Sequence, residues 1–207
     1  MSKPFRKTYS LTAADADGIA TSQTPLAAGN LTLDGVLISG GVLTLSEAQP
    51  VTITAAGNET ARTFTVTGTA WDDSALTEAI AGPNATIATG TKHFKTVTQI
   101  AVDDATAGAV TAGIAGTAEL PWIPLDHWLN PFNYSYFVDI GTATFQVEST
   151  LDNLQDSTIT PVVNATVEAS GSSDAGGSST APCTGIRVKV TAFTSGDIVL
   201  TLVQAGR

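Results

Sequence analysis

From about residue 30 onward the chain consists of short runs that alternate between apolar and small polar residues, separated by Gly, Asn, Asp or Pro. A period of two places apolar side chains on one face of a strand, whereas a helix needs a period near 3.6. The stretch Leu31–Leu45 contains two such runs, broken at Asp34-Gly35 and Gly40-Gly41, which are typical turn pairs. The same rhythm returns at Val51–Thr54 and Thr63–Thr69. We therefore expect an all-β fold.

The aromatic residues mark a change in the chain near residue 119. The segment Leu120–Phe137 holds two of the three Trp, two of the three Tyr and three prolines. Proline opposes both a long helix and a central strand, so we predict an extended connector whose rings pack into a groove. The predicted organisation is an N-terminal arm (1–29), a β-sandwich domain (30–118) and a second, smaller β-sandwich domain (119–207) that begins with this aromatic and Pro-rich connector (119–134). Both sandwiches are expected to be immunoglobulin-like or jelly-roll-like.

Two segments have weaker patterns. Ser74–Ile80 is compatible with a helical turn, but Gly82-Pro83 follows closely and its flanks are strand-like, so we predict a strand. Ala169–Thr180 is rich in Gly and Ser, a flexible composition that cannot build a core. We predict a loop there.

The charge and hydropathy of the chain exclude several classes of function. Nine Lys and Arg against nineteen Asp and Glu give a formal net charge of -10, which repels DNA and RNA. No apolar stretch approaches the roughly 18 residues of a membrane span. The basic start Met1–Lys7 is not followed by the apolar run of a signal peptide. We expect cytoplasmic synthesis without secretion, and neither nucleic acid nor membrane as a partner.

Residues able to perform nucleophilic catalysis are few. The histidines are His93 and His127, and the one cysteine is Cys183, whose expected role is that of a small apolar residue. The acidic pairs Asp72-Asp73 and Asp103-Asp104 are more typical of turns than of a glycosidase dyad, because neighbours on a strand point to opposite faces. We predict no catalytic residue and no cofactor, with an enzyme kept as a third class of function.

Metal binding has one weak candidate. Asp15-Ala-Asp-Gly18 is similar to the opening of a calcium loop, but the third oxygen ligand and the closing Glu are missing. We predict no metal ligand, and a weak surface calcium site remains an alternative.

The predicted interaction residues are the aromatics of the connector and the basic N-terminus. Aromatics flanked by proline usually bury themselves at a domain or subunit seam. The alternative is stacking on sugars by Trp71, Trp122, Trp128, Tyr134 or Tyr136. The candidate interface residues are Lys3, Arg6, Lys7, Trp122, His127, Trp128, Phe132, Tyr134, Tyr136 and Phe137.

The chain resembles a class of known proteins in both halves. The first half carries Leu45, Pro50–Asn58, Thr63–Thr69, Thr77–Asn84, Phe94–Ile100 and Ala107-Gly108. The second carries Thr144–Asn153, Pro182, Ile186–Val188 and Leu202–Gly206. These segments are similar to modules of tailed-phage virion structural proteins.

The resemblance implies a virion component made in the host bacterial cytoplasm and present in many symmetric copies, often as trimers. Our first hypothesis is a capsid decoration or cement protein that binds the major capsid protein and copies of itself. The rival part is the neck, collar, tail or fibre base, because all of these reuse such sandwiches. A carbohydrate-binding adhesion module is the alternative of another class.

Overall fold

The computed structural model describes residues 4–128, 130–156 and 159–204, and the side chains of residues 168–170 are left out of the description. All its regular elements are strands, so the predicted all-β class is confirmed. They are β1 (Phe5–Tyr9), β2 (Asp15–Gln23), β3 (Gly29–Asn30), β4 (Ile38–Ser39), β5 (Val42–Ala55), β6 (Thr63–Thr69), β7 (Ala75–Ala81), β8 (Ile87–Val102), β9 (Val110–Ile114), β10 (Ala118–Glu119), β11 (Ile123–Pro124), β12 (Tyr134–Thr150), β13 (Ala165–Gly171), β14 (Ala175–Ser179) and β15 (Gly185–Gln204).

The chain divides into two compact units. The N-terminal unit is Thr12–Ala118, and the C-terminal unit combines the residues up to Leu11 with those from Glu119 onward. Each unit contains one antiparallel sheet, consistent with a fold of two β-sandwiches. No helix in the described ranges is long and apolar enough to cross a bilayer.

The N-terminal sheet has the strand order β2-β9-β5-β8-β6-β7. Its two longest strands, β5 and β8, pair along three stretches separated by two register shifts: Leu43 lies opposite Val97, Gln49 opposite Phe94 and Ile53 opposite Ala88. On its other edge, the C-terminal part of β5 pairs with β9, and the C-terminal half of β8 pairs with β6. The predicted strand at Ser74–Ile80 is confirmed as β7.

One hydrophobic core fills the N-terminal unit. It includes Ile19 of β2 and Ile114 of β9 from one end of the sheet, and Phe64 of β6 and Ile80 of β7 from the other. A flat sheet could not bring these ends to one core, so the sheet folds over itself as a sandwich does.

The C-terminal sheet is built on one long antiparallel pair, β12 and β15, whose register runs from Tyr134 opposite Gln204 to Thr150 opposite Gly185. Along β12 the buried Tyr134, Tyr136 and Val138 alternate with exposed residues. The short strands β1, β10 and β11 pair with β15, and β13 and β14 pair with β12.

Three segments differ from the sequence prediction. Residues 1–29 were predicted as an arm, but β1 pairs with β15 and β2 pairs with β9, so this segment supplies strands to both units. The predicted connector 119–134 contains β11, which pairs with β15. The predicted loop Ala169–Thr180 contains the end of β13 and all of β14. In each case the partner strand is distant in the chain, which local pattern does not reveal.

Candidate interaction surface

Four strands of the C-terminal unit carry the predicted interface residues that are both exposed and close together. They are β1, residues 198–204 of β15, residues 134–140 of β12, and β14, and we call them the four-strand segment. Their registers align in rows across the sheet. One row contains Arg6, Thr201, Phe137 and Gly176, and the next contains Lys7, Leu200, Val138 and Ala175.

Alternation along the strands assigns these rows to faces. Leu200 and Val138 are fully buried, so their row faces the core. The row of Arg6 and Phe137 therefore belongs to the outer face, where Phe137 is 48% exposed. Two strand spacings, about 10 Å, separate the backbones of Arg6 and Phe137.

Phe137 and Tyr136 explain why β14 contains two glycines. A Cβ atom on Gly176 would lie 3.0 Å from Cδ2 of Phe137, and one on Gly177 would lie 2.7 Å from the Tyr136 hydroxyl oxygen. The rings of β12 therefore cover both faces of this glycine pair, which lets an edge strand form from residues with weak strand propensity.

The remaining residues of the basic N-terminus have different surroundings. Lys7 is exposed, and its ammonium nitrogen lies 4.6 Å from the centroid of the buried Tyr9 ring, in cation-π geometry. Lys3 lies outside the described residues.

Three of the predicted interface aromatics belong to the core of the C-terminal unit. Phe132, Tyr134 and Tyr136 are 8%, 1% and 5% exposed, and the rings of Phe132 and Tyr134 meet edge to face with centroids 5.9 Å apart. Rings buried to this degree present little area to a partner, so we assign them a packing role. Strand alternation is the signal that separates them from Phe137.

Trp122 belongs to a half-buried ionic cluster. The Arg187 guanidinium stacks 4.6 Å from the Trp122 ring centroid. Its Nε donates to Glu148 Oε2 at 2.7 Å, and its Nη1 lies 2.8 Å from Glu119 Oε2. Lys189 Nζ lies 3.1 Å from the other Glu119 oxygen. Arg187 and Lys189 lie on one face of β15, and their carboxylate partners come from β10 and β12.

His127 and Trp128 lie on an exposed loop. Trp128 is 85% exposed, and its ring centroid lies 5.2 Å from that of His127. Gln204 anchors the loop, because its Oε1 accepts from Asp126 N at 2.8 Å and its Nε2 donates to Asp126 O at 3.3 Å. The loop therefore presents Trp128 from a fixed base at the end of β15.

The one cysteine is buried beside Tyr134. Burial raises the pKa of the Cys183 thiol, and burial also raises the pKa of the Tyr134 phenol to about 12, with the Cys183 side chain adding to the rise. A protonated thiol is a poor nucleophile, so this site supports the packing role predicted for Cys183.

Tyr134→Phe is expected to flatten the alkaline stability profile. Folding keeps this phenol protonated up to about pH 12, whereas an unfolded tyrosine ionises near pH 10. The unfolded state therefore loses its proton first, and stability falls as the pH rises from 10 to 12, by about 2 to 3 kcal/mol. Urea unfolding at pH 9 to 12, in a Cys183→Ala background that removes thiol ionisation, measures the part of this slope that burial of the phenol causes. Equal slopes with and without the Tyr134→Phe substitution would contradict the assignment.

Comparison with known proteins gives no relative for this chain: no protein-family model, curated protein or solved structure matches it.

Proposed function

We propose that this chain is a non-enzymatic structural protein of a tailed-phage virion, present in many symmetric copies. Its most specific form is a homotrimeric capsid decoration or cement protein that binds the major capsid protein and stabilises the shell. The phage assignment rests on the resemblance of both halves of the sequence to virion modules. The assembly role has a structural argument of its own.

The observation that carries the assembly role is the outer face of the four-strand segment. Phe137 and Val203 are 48% and 39% exposed there, on adjacent strands, among small uncharged residues such as Ser135 and Thr201. Covering such a face costs little desolvation, because few charges lose water. Arg6, at the rim of the same face, supplies a fixed positive charge that orients a partner.

The resembling segments of the first half also have a common location. Asn58 forms a β-bridge with Asn84, and Gly57 and Gly108 approach so closely that a Cβ on Gly108 would lie 2.9 Å from Gly57 N. Three of the quoted segments thus meet at one end of the N-terminal unit. That convergence favours a shared structural module over a chance likeness of three turns.

Copy number in purified particles tests the proposal. Quantitative mass spectrometry of the virion is expected to find hundreds of copies of this chain for a decoration protein. Three, six or twelve copies would support the rival position in the neck, collar, tail or fibre base. Absence of the chain from particles would contradict both.

The exposed Trp128 favours a second candidate, a carbohydrate-binding adhesion module, because an indole on an anchored loop can stack on a sugar ring. Glycan-array binding that Trp128→Ala abolishes would support this candidate. The buried Phe132→Ala is not a usable control, since it disturbs the core. Trp71→Ala removes the exposed indole of the other unit, and loss of binding in that variant alone would move the sugar site there.

A further inference from the structure

The four-strand segment has two free edges at the same level. β1 pairs only with β15, and β14 pairs only with β12, so within the described residues no strand covers the second edge of either. Three of the five residues of β1 share rows with three of the five in β14: Phe5 with Gly177, Arg6 with Gly176, and Lys7 with Ala175. A sheet with this register can continue from one copy to the next without a shift along the strand direction.

The strand directions also allow continuation. β1 is antiparallel to β15, β15 to β12, and β12 to β14. β14 therefore runs opposite to β1. A neighbouring copy in the same orientation would place its β1 antiparallel to β14, which is the direction that every pair within the sheet already has.

The two edges have complementary chemistry. β14 has no charged side chain to block strand addition, although edge strands are usually protected by charge, proline or a bulge. Acidic groups lie beside it: Asp139 is exposed in β12, and Asp174, which precedes β14, accepts from Ile140 N at 2.9 Å. β1 carries Arg6 and Lys7. A neutral edge flanked by acids suits a basic strand better than a second copy of itself.

Gly176 leaves room for a specific side-chain contact. The Phe137 ring leans over Gly176, which has no side chain of its own on the outer face. In the continued row, Arg6 of a neighbouring copy lies opposite Gly176 and on the same face as Phe137. A guanidinium stacked on this ring would cover the exposed half of Phe137.

We propose that β1 of one copy adds to the β14 edge of the next, with Arg6 stacked on Phe137 across Gly176, so that copies join head to tail through one continuous antiparallel sheet. This contact rests on the proposed function and names the joint between the copies. A head-to-tail contact of this kind closes into a ring when the rotation between copies closes.

A pair of cysteines tests the joint in the full chain. Lys7→Cys combined with Ala175→Cys places two thiols in one row of the continued sheet, and mild oxidation is expected to give disulfide-linked oligomers. Each single variant, which retains the buried native Cys183, is expected to give none. Cross-linking by Ala175→Cys alone would overturn the proposal, because it would join β14 to its own symmetry mate.

A lysine on the edge provides the second test. Ser178→Lys adds a positive charge to β14 two residues from Gly176 and on the same face, diagonal to the Arg6 of the neighbouring copy, and we expect at least tenfold weaker association by sedimentation. Ser46→Lys is the control, since Ser46 is an exposed serine in β5 of the N-terminal unit and lies outside the four-strand segment. Equal association of both variants would overturn the strand pairing.

These results separate the joint from the proposed function. Symmetric copies in purified particles, with no disulfide between residues 7 and 175 on those particles, would leave the virion role standing and overturn the joint. If the chain forms disulfide-linked oligomers but is absent from particles, the strand joint stands and the virion role is overturned.

Discussion

Glu59→Ala lowers the free energy of unfolding of the N-terminal unit by about 3 to 5 kcal/mol in our expectation. The Glu59 side chain belongs to a residue only 1% exposed, and its two oxygens accept from Gly108 N at 2.8 Å and from Ala107 N at 3.0 Å. Alanine leaves both backbone donors without their charged acceptor at a partly buried site. Each lost bond to a charged acceptor is worth about 1.5 to 3 kcal/mol.

Urea unfolding, with hydrogen exchange resolved to the β5 and β8 peptides, measures this loss in the N-terminal unit. Asp73→Asn is the control, because it removes an exposed negative charge whose 2.9 Å ion pair with Lys95 contributes at most about 1 kcal/mol, and asparagine tolerates the positive φ of 64° at this position. If Glu59→Ala lowers the free energy of unfolding no more than the control does, the segment at Ala107 and Gly108 is stable without the Glu59 carboxylate.

The sequence predicted those strands whose pattern is set by burial. In β6, Phe64 and Val66 are fully buried and alternate with partly exposed threonines, as a period of two requires. In β15, Arg187 and Lys189 alternate with the buried Ile186, Val188 and Val190 in the same way. These elements were predictable because one face of each strand packs on a core while the other faces water.

The strands that the sequence missed depend on distant partners. β14 consists of Ala, Gly and Ser, and it forms because the rings of Phe137 and Tyr136 cover its glycines. β1 has a short strand pattern of its own, but nothing local shows that it pairs with β15 nearly 200 residues away. The sequence prediction therefore placed β14 in a loop and β1 in an N-terminal arm.

The residues of the candidate surface were predictable from the sequence, but their arrangement was not, because it depends on pairing between distant strands. Arg6 and Phe137 were both chosen from the sequence, as a basic terminus and an aromatic cluster. Their common row follows only from the register of β1, β15 and β12. Conversely, Tyr134 and Tyr136 are near neighbours of Phe137 in sequence, but alternation along β12 points their side chains toward the core.

Arg187→Met is expected to destabilise the C-terminal unit by about 3 to 5 kcal/mol. The side chains of Arg187 and Glu148 are 12% and 6% exposed, and the substitution leaves the Glu148 carboxylate buried without its cation. Trp122 also loses the guanidinium stacked on its ring. Hydrogen exchange of the β12 and β15 peptides and the urea midpoint measure the loss.

The double variant Arg187→Met with Glu148→Leu is expected to recover most of that stability. Both charges are then absent, so neither side chain leaves an ion in a dry site, and two apolar side chains of similar volume fill the space beside Trp122. Glu119 keeps Lys189 as its partner in a more exposed position. A double variant no more stable than Arg187→Met alone would show that the cluster stabilises the unit through its net attraction, and that desolvation is the smaller effect.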